Sequence, residues 1–231
     1  HDPSTSLPFI SGNVSLYNES RAGRAIPPMP IVACLGVLCD FASARGLRLK
    51  AAGNRLYALR GAGAGLGASL YARSTGQDDL FEHDELPQLD LEAEARHVRA
   101  VLEAFDLGLV QSCHDVADGG LGLALLEMAF GRRGEPRLGV RVRLEPAQVA
   151  PVARLFSETS GFVCEVQAGE AARFEQVCAA CGVVPQLLGE VLAEPRLRVE
   201  LPPAPPLDLE LEPLCDTWRA ALRPVLRGRS T

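Results

Sequence analysis

The chain has 231 residues, enough for one large domain or a domain plus part of a second. Hydrophobic residues make up 47% and charged residues 23%, which supports a packed core and excludes an intrinsically disordered chain. The net charge of −6, with Lys50 as the only lysine and no basic run, excludes an electrostatic nucleic-acid binder, and no apolar run nears the ~20 residues that span a bilayer.

Residues 1 to about 30 read as irregular, punctuated by Pro3, Pro8, Gly12, Gly23, Pro27, Pro28 and Pro30, with a short strand through Phe9-Ile10 ending at Ser11-Gly12-Asn13. Ile31 to Leu38 is an apolar run of strand length, and Leu47-Leu49 and Leu56-Leu59 are two more short strands on either side of the turn signal Gly53-Asn54. The glycine-rich stretch Gly61 to Gly67 is a loop with a helix after Ala68. Residues 89–106 predict a helix: Leu91, Ala95, Val98, Leu102 and Phe105 recur at spacings of four, three, four and three as its apolar face, Glu92, Glu94, Arg96 and Arg99 lie on its exposed side, Asp90 caps it and Gly108 follows it.

From there strands and helices alternate. Leu109-Cys113 is a buried strand, Gly119-Phe130 a helix stopped by Gly131, Leu138-Leu144 a half-buried strand and Val149-Phe156 a helix. Phe162-Val166 is a strand, Ala171-Cys181 a helix closed by Gly182, and Val183-Leu192 and Leu197-Leu201 are the last strands. Pro202, Pro203, Pro205 and Pro206 form a stiff linker before an amphipathic helix around Trp218, broken by Pro224. The alternation predicts an α+β fold, a mixed sheet covered by helices, with domain bounds at 1–30, 31–201 and 202–231.

Seven cysteines, an odd number set mostly in apolar runs, read as reduced thiols of a cytoplasmic protein and not as a disulfide frame. Cys178-Ala179-Ala180-Cys181 has the spacing of a redox or zinc half-site, but with no second pair it reads as two structural cysteines. The chain starts at His1 without Met and reads as a piece of a longer protein. His83 and His97 read as surface residues.

Three polar segments could carry chemistry. Ser11-Gly12-Asn13-Val14-Ser15-Leu16-Tyr17-Asn18-Glu19 gathers hydroxyls, amides and a carboxylate around a glycine, which suits close approach to an anion and oxygen ligation of Mg²⁺; the same residues would also make a polar turn. Cys113-His114-Asp115-Val116-Ala117-Asp118-Gly119-Gly120-Leu121 opens a helix from a strand end. There Asp115 and Asp118 could hold a metal, or Asp118 could cap the helix while His114 bonds a backbone carbonyl. Cys113 and His114 point to opposite faces of a strand, which argues against a thiol nucleophile. Phe156-Ser157-Glu158-Thr159-Ser160-Gly161-Phe162 is a tight turn offering a carboxylate and hydroxyls, either a ligand contact or a capped turn. The Gly61–Gly67 loop lacks the Lys-Ser/Thr of a P-loop and the spacing of a dinucleotide fingerprint.

Together these segments resemble one family. Residues 11–19 followed by Ile26-Pro27-Pro28-Met29-Pro30-Ile31-Val32 resemble a signature of the phosphoribosylformylglycinamidine (FGAM) synthases, of the type without a fused glutaminase. His114 to Leu121 with Ala124, Glu127 and Met128 resembles a later segment of that family, and Leu155 to Gly161 resembles its Phe-Ser-Glu-Thr/Ser-x-Gly turn, all in family order. The resemblance implies a fold of the aminoimidazole ribonucleotide synthetase-like superfamily: a remnant of the nucleotide-binding subdomain, then its carboxy-terminal α/β domain. It also implies a ligase of purine biosynthesis that uses ATP, Mg²⁺ and glutamine-derived ammonia to turn formylglycinamide ribonucleotide into its amidine.

Carried over by residue, the resemblance implies an ATP contact at Gly12, a Mg²⁺ ligand at Asn13 and a substrate contact at Ser15, with Asp115, Glu158 and Thr159 at a pseudo-symmetric nucleotide site. The catalytic histidine is expected outside this chain, so the chain alone is expected to be inactive. The implied partners are the remaining amino-terminal domains of the synthase, a separate glutaminase subunit and a small accessory subunit. Two departures stand out. The family's Leu-Gly-Gly-Ser-Glu-Tyr is here Leu66-Gly67-Ala68-Ser69-Leu70-Tyr71, and Ala117 replaces a usual Ser. The alternatives are a non-catalytic assembly module of the same synthase, or a superfamily relative such as a hydrogenase-maturation protein or thiamine-phosphate kinase.

Overall fold

The computed structural model describes residues 8–13, 19, 23–25, 31–38, 40–61, 65–77, 86–132, 135–145 and 149–221. The chain divides into two compact units, His1–Cys39 and Asp40–Thr231. In the first, residues 8–13 and 31–38 are exposed and irregular, so the strands expected at Phe9-Ile10 and Ile31-Leu38 do not form. An apolar run becomes a strand only where a neighbour takes its N–H and C=O groups, and among the described residues of this unit the only pairing is the bridge between Glu19 and Ala25.

The second unit is built from β1 (Arg55–Arg60), α1 (Leu70–Ser74), α2 (Leu91–Asp106), β2 (Val110–Asp115), α3 (Gly120–Phe130), β3 (Gly139–Arg143), α4 (Pro151–Phe156), β4 (Gly161–Val166), α5 (Ala171–Ala180), β5 (Gln186–Leu192), β6 (Arg196–Glu200), β7 (Leu207–Glu210) and α6 (Leu211–Ala220). The strands form one seven-stranded sheet in the order β2-β4-β1-β5-β3-β6-β7. Every neighbouring pair is antiparallel except β3 with β6, so the sheet is mixed, as expected. Among the described residues no helix is long and apolar enough to cross a membrane.

β1 is buried on both faces, which explains its unbroken Leu56-Tyr57-Ala58-Leu59 run. Leu56 and Ala58 join Leu121, Leu125, Val140, Leu155 and Val163 in one core, on the side of α3 and α4. Tyr57 and Leu59 join Ala100, Ala104, Cys164, Phe174 and Cys178 in the other, on the side of α2 and α5. Cys178 and Cys181 are therefore packing residues of this second core, as their lack of a second pair predicted, and among the described residues no group of three or more His, Cys, Asp or Glu side chains could hold a metal.

Three elements differ from expectation. Residues 47–49 are not a strand: Leu49 N–H bonds Met128 O at the end of α3 (3.1 Å), so the segment docks on a helix instead of entering the ladder. A strand not foreseen after the prolines, β7, pairs with β6 at Val199–Leu207 and Leu197–Leu209, and α6 then buries Leu211 and Cys215.

The third difference is the face of α2. Leu91, Val98 and Leu102 point outward, and His97, Ala100, Val101 and Ala104 point inward. Tyr57 and Phe174, with ring centroids 5.0 Å apart, fill that core, which leaves room for alanines on the helix and none for the leucine stripe. His97 is accordingly buried, with Nδ1 3.6 Å from Glu94, and is not a surface residue.

At the far end of the sheet no helix among the described residues of this unit covers the second face. There Arg141 pairs with Glu190 (3.0 Å), Arg143 with Glu200 (3.0 Å) and Arg196 with Asp208 (2.6 Å), and Arg198 lies between Glu194 and Asp208.

Candidate functional site

Two of the three polar segments meet at one end of the sheet. β2 ends in His114-Asp115, and Val116 N–H bonds Gly161 O (2.8 Å) at the start of β4, so the loop after β2 is tied to the turn before β4. Gly119 and Gly120 both have left-handed backbone, φ 78° and 65°. At Gly120 there is also no room for a side chain, since a Cβ would lie 2.7 Å from the carbonyl oxygens of Leu155 and Ser157. The glycine pair thus lets the amino end of α3 sit directly on the carboxyl end of α4.

Glu158 locks this joint. Its Oε1 accepts from Gly119 N–H (2.8 Å) and from Leu70 N–H (2.7 Å), so one carboxylate faces the first amides of both α3 and α1. The free N–H groups that made this helix start attractive for a ligand are in part answered from within the chain. Asp118 is not the cap: the N-cap residue of α3 is Gly119, with no side-chain cap bond. Thr159 is buried, its hydroxyl 3.1 Å from that of Ser157 and its methyl facing Gly61.

Arg60, at the end of β1, donates from Nη2 to Ser157 O (3.2 Å), and burial pushes its guanidinium down to about 10. Above the joint Tyr71 stacks on Phe156, with centroids 5.0 Å apart. Ser69 caps α1 by accepting from Ala72 N–H (3.2 Å). Ala68 has φ 57°, a left-handed conformation awkward for a residue with a Cβ; it stands where the resembling family has glycine.

On the other side of the loop His114 bridges two carboxylates, Nδ1 to Asp115 Oδ1 (3.0 Å) and Nε2 to Glu127 Oε2 (2.8 Å), and not a backbone carbonyl. Trp218 on α6 donates to the second oxygen of Glu127 (3.1 Å). A cavity of about 190 Å³ opens here, lined by His114, Asp115, Asp118, Leu123 and Glu127. A second, of about 380 Å³, shares His114 and Glu127 and adds Arg48, Phe130, Trp218 and Arg219. Cys113, on the opposite face of β2, has its sulfur 3.7 Å from that of Cys164, away from His114, as strand geometry predicted. The contact with the facing Cys113, and then burial, raise the Cys164 thiol well above the ordinary range.

Asp115, Glu158 and Thr159 are thus brought to one joint, but with different surroundings: Asp115 is exposed beside the cavity, Glu158 braces two helices and Thr159 is packed away. Gly12 and Asn13 belong to the first unit and are exposed, with no described residue within 4 Å of the place a Cβ would take on Gly12; Ser15 lies outside the described residues. Sequence reasoning gave no site role to Arg60, Glu127 or Trp218, naming Glu127 only within the resembling segment and Trp218 only within the final helix. Only Glu127 carried a signal, as the one charged residue in the apolar run of α3.

Residues 51–202, more than half of the chain, match the family described as AIR synthase related protein, C-terminal domain. The fold is similar to three solved structures from Thermotoga maritima. They are PurL complexed with ATP (19% identity, TM-score 0.59), PurL complexed with FGAR (21%, 0.61) and phosphoribosylformylglycinamidine synthase II (20%, 0.58). In each comparison 76% of this chain is covered, against 28%, 30% and 28% of the other, so the chain spans less than a third of the length of these structures. With the mixed sheet, its two helical layers and the matched residues in agreement, the chain belongs to the AIR synthase related protein, C-terminal domain family.

Proposed function

We propose that the chain is the carboxy-terminal portion of an FGAM synthase, a cytoplasmic ATP-dependent ligase of purine biosynthesis that converts formylglycinamide ribonucleotide to its amidine with glutamine as nitrogen donor. The observation that carries the reading is the joint itself: within a domain of this family, two segments that resemble the synthase in sequence, 114–121 and 155–161, lie against each other and are joined by Glu158. The T. maritima structures of similar fold include complexes with ATP and with FGAR, which supports the same ligands here.

When bound, ATP supplies the phosphoryl group that makes the formyl amide oxygen a leaving group, and ammonia takes its place. This chain's own contribution lies at residues 12–15. The donor set suits the ligands: Asn13 carries a hard amide oxygen of the kind Mg²⁺ takes and is exposed, and Gly12 has no side chain to keep a ligand from its backbone. Ser15 supplies a hydroxyl to orient the substrate. Asp115, Glu158 and Thr159 form the pseudo-symmetric site, where Glu158 positions the loop amides. The catalytic histidine, the glutaminase and the small accessory subunit come from outside the chain.

The reading is tested by ATP-dependent amidine formation in the full-length protein with ammonia as donor. Asn13→Ala is expected to lower kcat/KM at least about tenfold, the scale of one lost ligand contact, and the isolated 231-residue chain to give no turnover. Amidine formation by the isolated chain, or none by the full-length protein, would overturn it. A second reading, a structural half that holds the synthase together, is favoured by the internal use of Glu158; Mg-ATP that gives no calorimetric heat with the chain would support it.

A further inference from the structure

Along α2 the side chains of Leu91, Ala95, Val98 and Leu102 face away from the sheet; Leu91 is 73%, Val98 43% and Leu102 56% exposed. Leu86 and Leu89 before the helix and Leu107 after it are exposed as well. With half-buried Phe105 the four continue at intervals of four, three, four and three, the spacing of a helix–helix seam. Among the described residues the core against α2 is completed by Ala100, Val101 and Ala104 and leaves this seam exposed. A row of large apolar side chains at seam spacing, on a helix whose inward face is already filled, marks an interaction surface.

The charges beside the seam say what would cover it. The positions flanking it include Glu94 on one side and Arg99 on the other, five residues apart. In a parallel pair of identical helices these are the positions that face each other, so Glu94 of each copy meets Arg99 of the other, twice by symmetry. An antiparallel pair would set Arg99 against Arg99 and Glu92 against Asp106, like against like. Glu94 is half-buried beside His97, held where a partner's guanidinium could reach it, and Arg99 is exposed. We infer that α2 is a self-association surface, on which a second copy of this chain docks its own α2 in parallel through the Leu91-Ala95-Val98-Leu102 seam, with Glu94–Arg99 pairs across it.

The test is sedimentation velocity of the full chain over a wide concentration range, with oxidative cross-linking of an Ala95→Cys variant read by peptide mass spectrometry. A reversible dimer is expected. Glu94→Arg and Arg99→Glu should each weaken it about tenfold, and the double variant should recover to within about threefold of the parent. Leu102→Glu, at an exposed site, should leave a folded monomer by circular dichroism. Ala95→Cys should yield a 95-to-95 cross-link, since an antiparallel pair centred on Arg99 would set position 95 against position 103 of the other copy. A chain monomeric throughout, a dimer indifferent to Glu94→Arg and to Leu102→Glu, single charge reversals that are not mutually rescued, or cross-links that join 95 to other positions would each overturn the inference.

Discussion

Replacing Glu158 separates bracing from ligand binding at the joint. Its Oε1 accepts two backbone N–H groups, from Gly119 at 2.8 Å and Leu70 at 2.7 Å. A hydrogen bond to a charged group contributes about 1.5–3 kcal/mol, and the part-exposed setting lowers that. Glu158→Ala should therefore destabilise the chain by about 2–4 kcal/mol. Glu158→Gln keeps an oxygen in the same place, so it should cost only about 1 kcal/mol, the difference between a charged and a neutral acceptor. Urea unfolding gives the two stabilities. Hydrogen exchange at Leu70 and Gly119 reads the joint directly, and both amides should lose protection in the Ala variant and largely keep it in the Gln variant. If Glu158→Ala left stability within ~0.5 kcal/mol and both amides protected, the bracing role would be wrong.

Glu165 is fully buried and accepts from Lys50 N–H, Ala51 N–H (3.1 Å), Asn54 Nδ2 (2.7 Å) and Ser112 Oγ (2.6 Å). Glu165→Ala leaves the buried Asn54 amide and Ser112 hydroxyl without this acceptor and should cost about 3–5 kcal/mol in urea unfolding, well above the loss for Glu165→Gln. At high pH a different group limits stability. Burial raises the Cys178 thiol to about 12, and burial together with the hydrogen bond to Glu175 raises the Tyr57 phenol, so both hold their protons in the folded chain after the unfolded chain has lost them. Stability should be complete below about pH 8.5, the ordinary thiol range, and fall as pH rises through about 12; Cys178→Ala should flatten the first part of that fall, measured as thermal midpoint against pH.

Much of the second unit was legible because its periods are clean and its stops are glycines: Gly108, Gly131 and Gly182 mark the ends of α2, α3 and α5. Periodicity located the apolar stripe of α2 but not the direction it faces, which depends on how much space Tyr57 and Phe174 leave beneath the helix. β7 was hidden because a four-residue edge strand behind a proline run has no period of its own, and its partner β6 lies seven residues back. At the candidate site the loop and the turn were each recognisable from composition. Their union was not, since it rests on the space Gly120 gives up to two carbonyls. Arg60 looked like any strand-end arginine, and only the packed neighbourhood of Ser157 distinguishes it.

The charged face of β3, β5, β6 and β7 limits what can be laid over it. Its arginines and acids already satisfy one another, so an apolar layer placed there would strip water from many charges at once without offering them anything better. A contact made on these charges would be polar, wet and weakened by salt, unlike one made on the apolar stripe of α2.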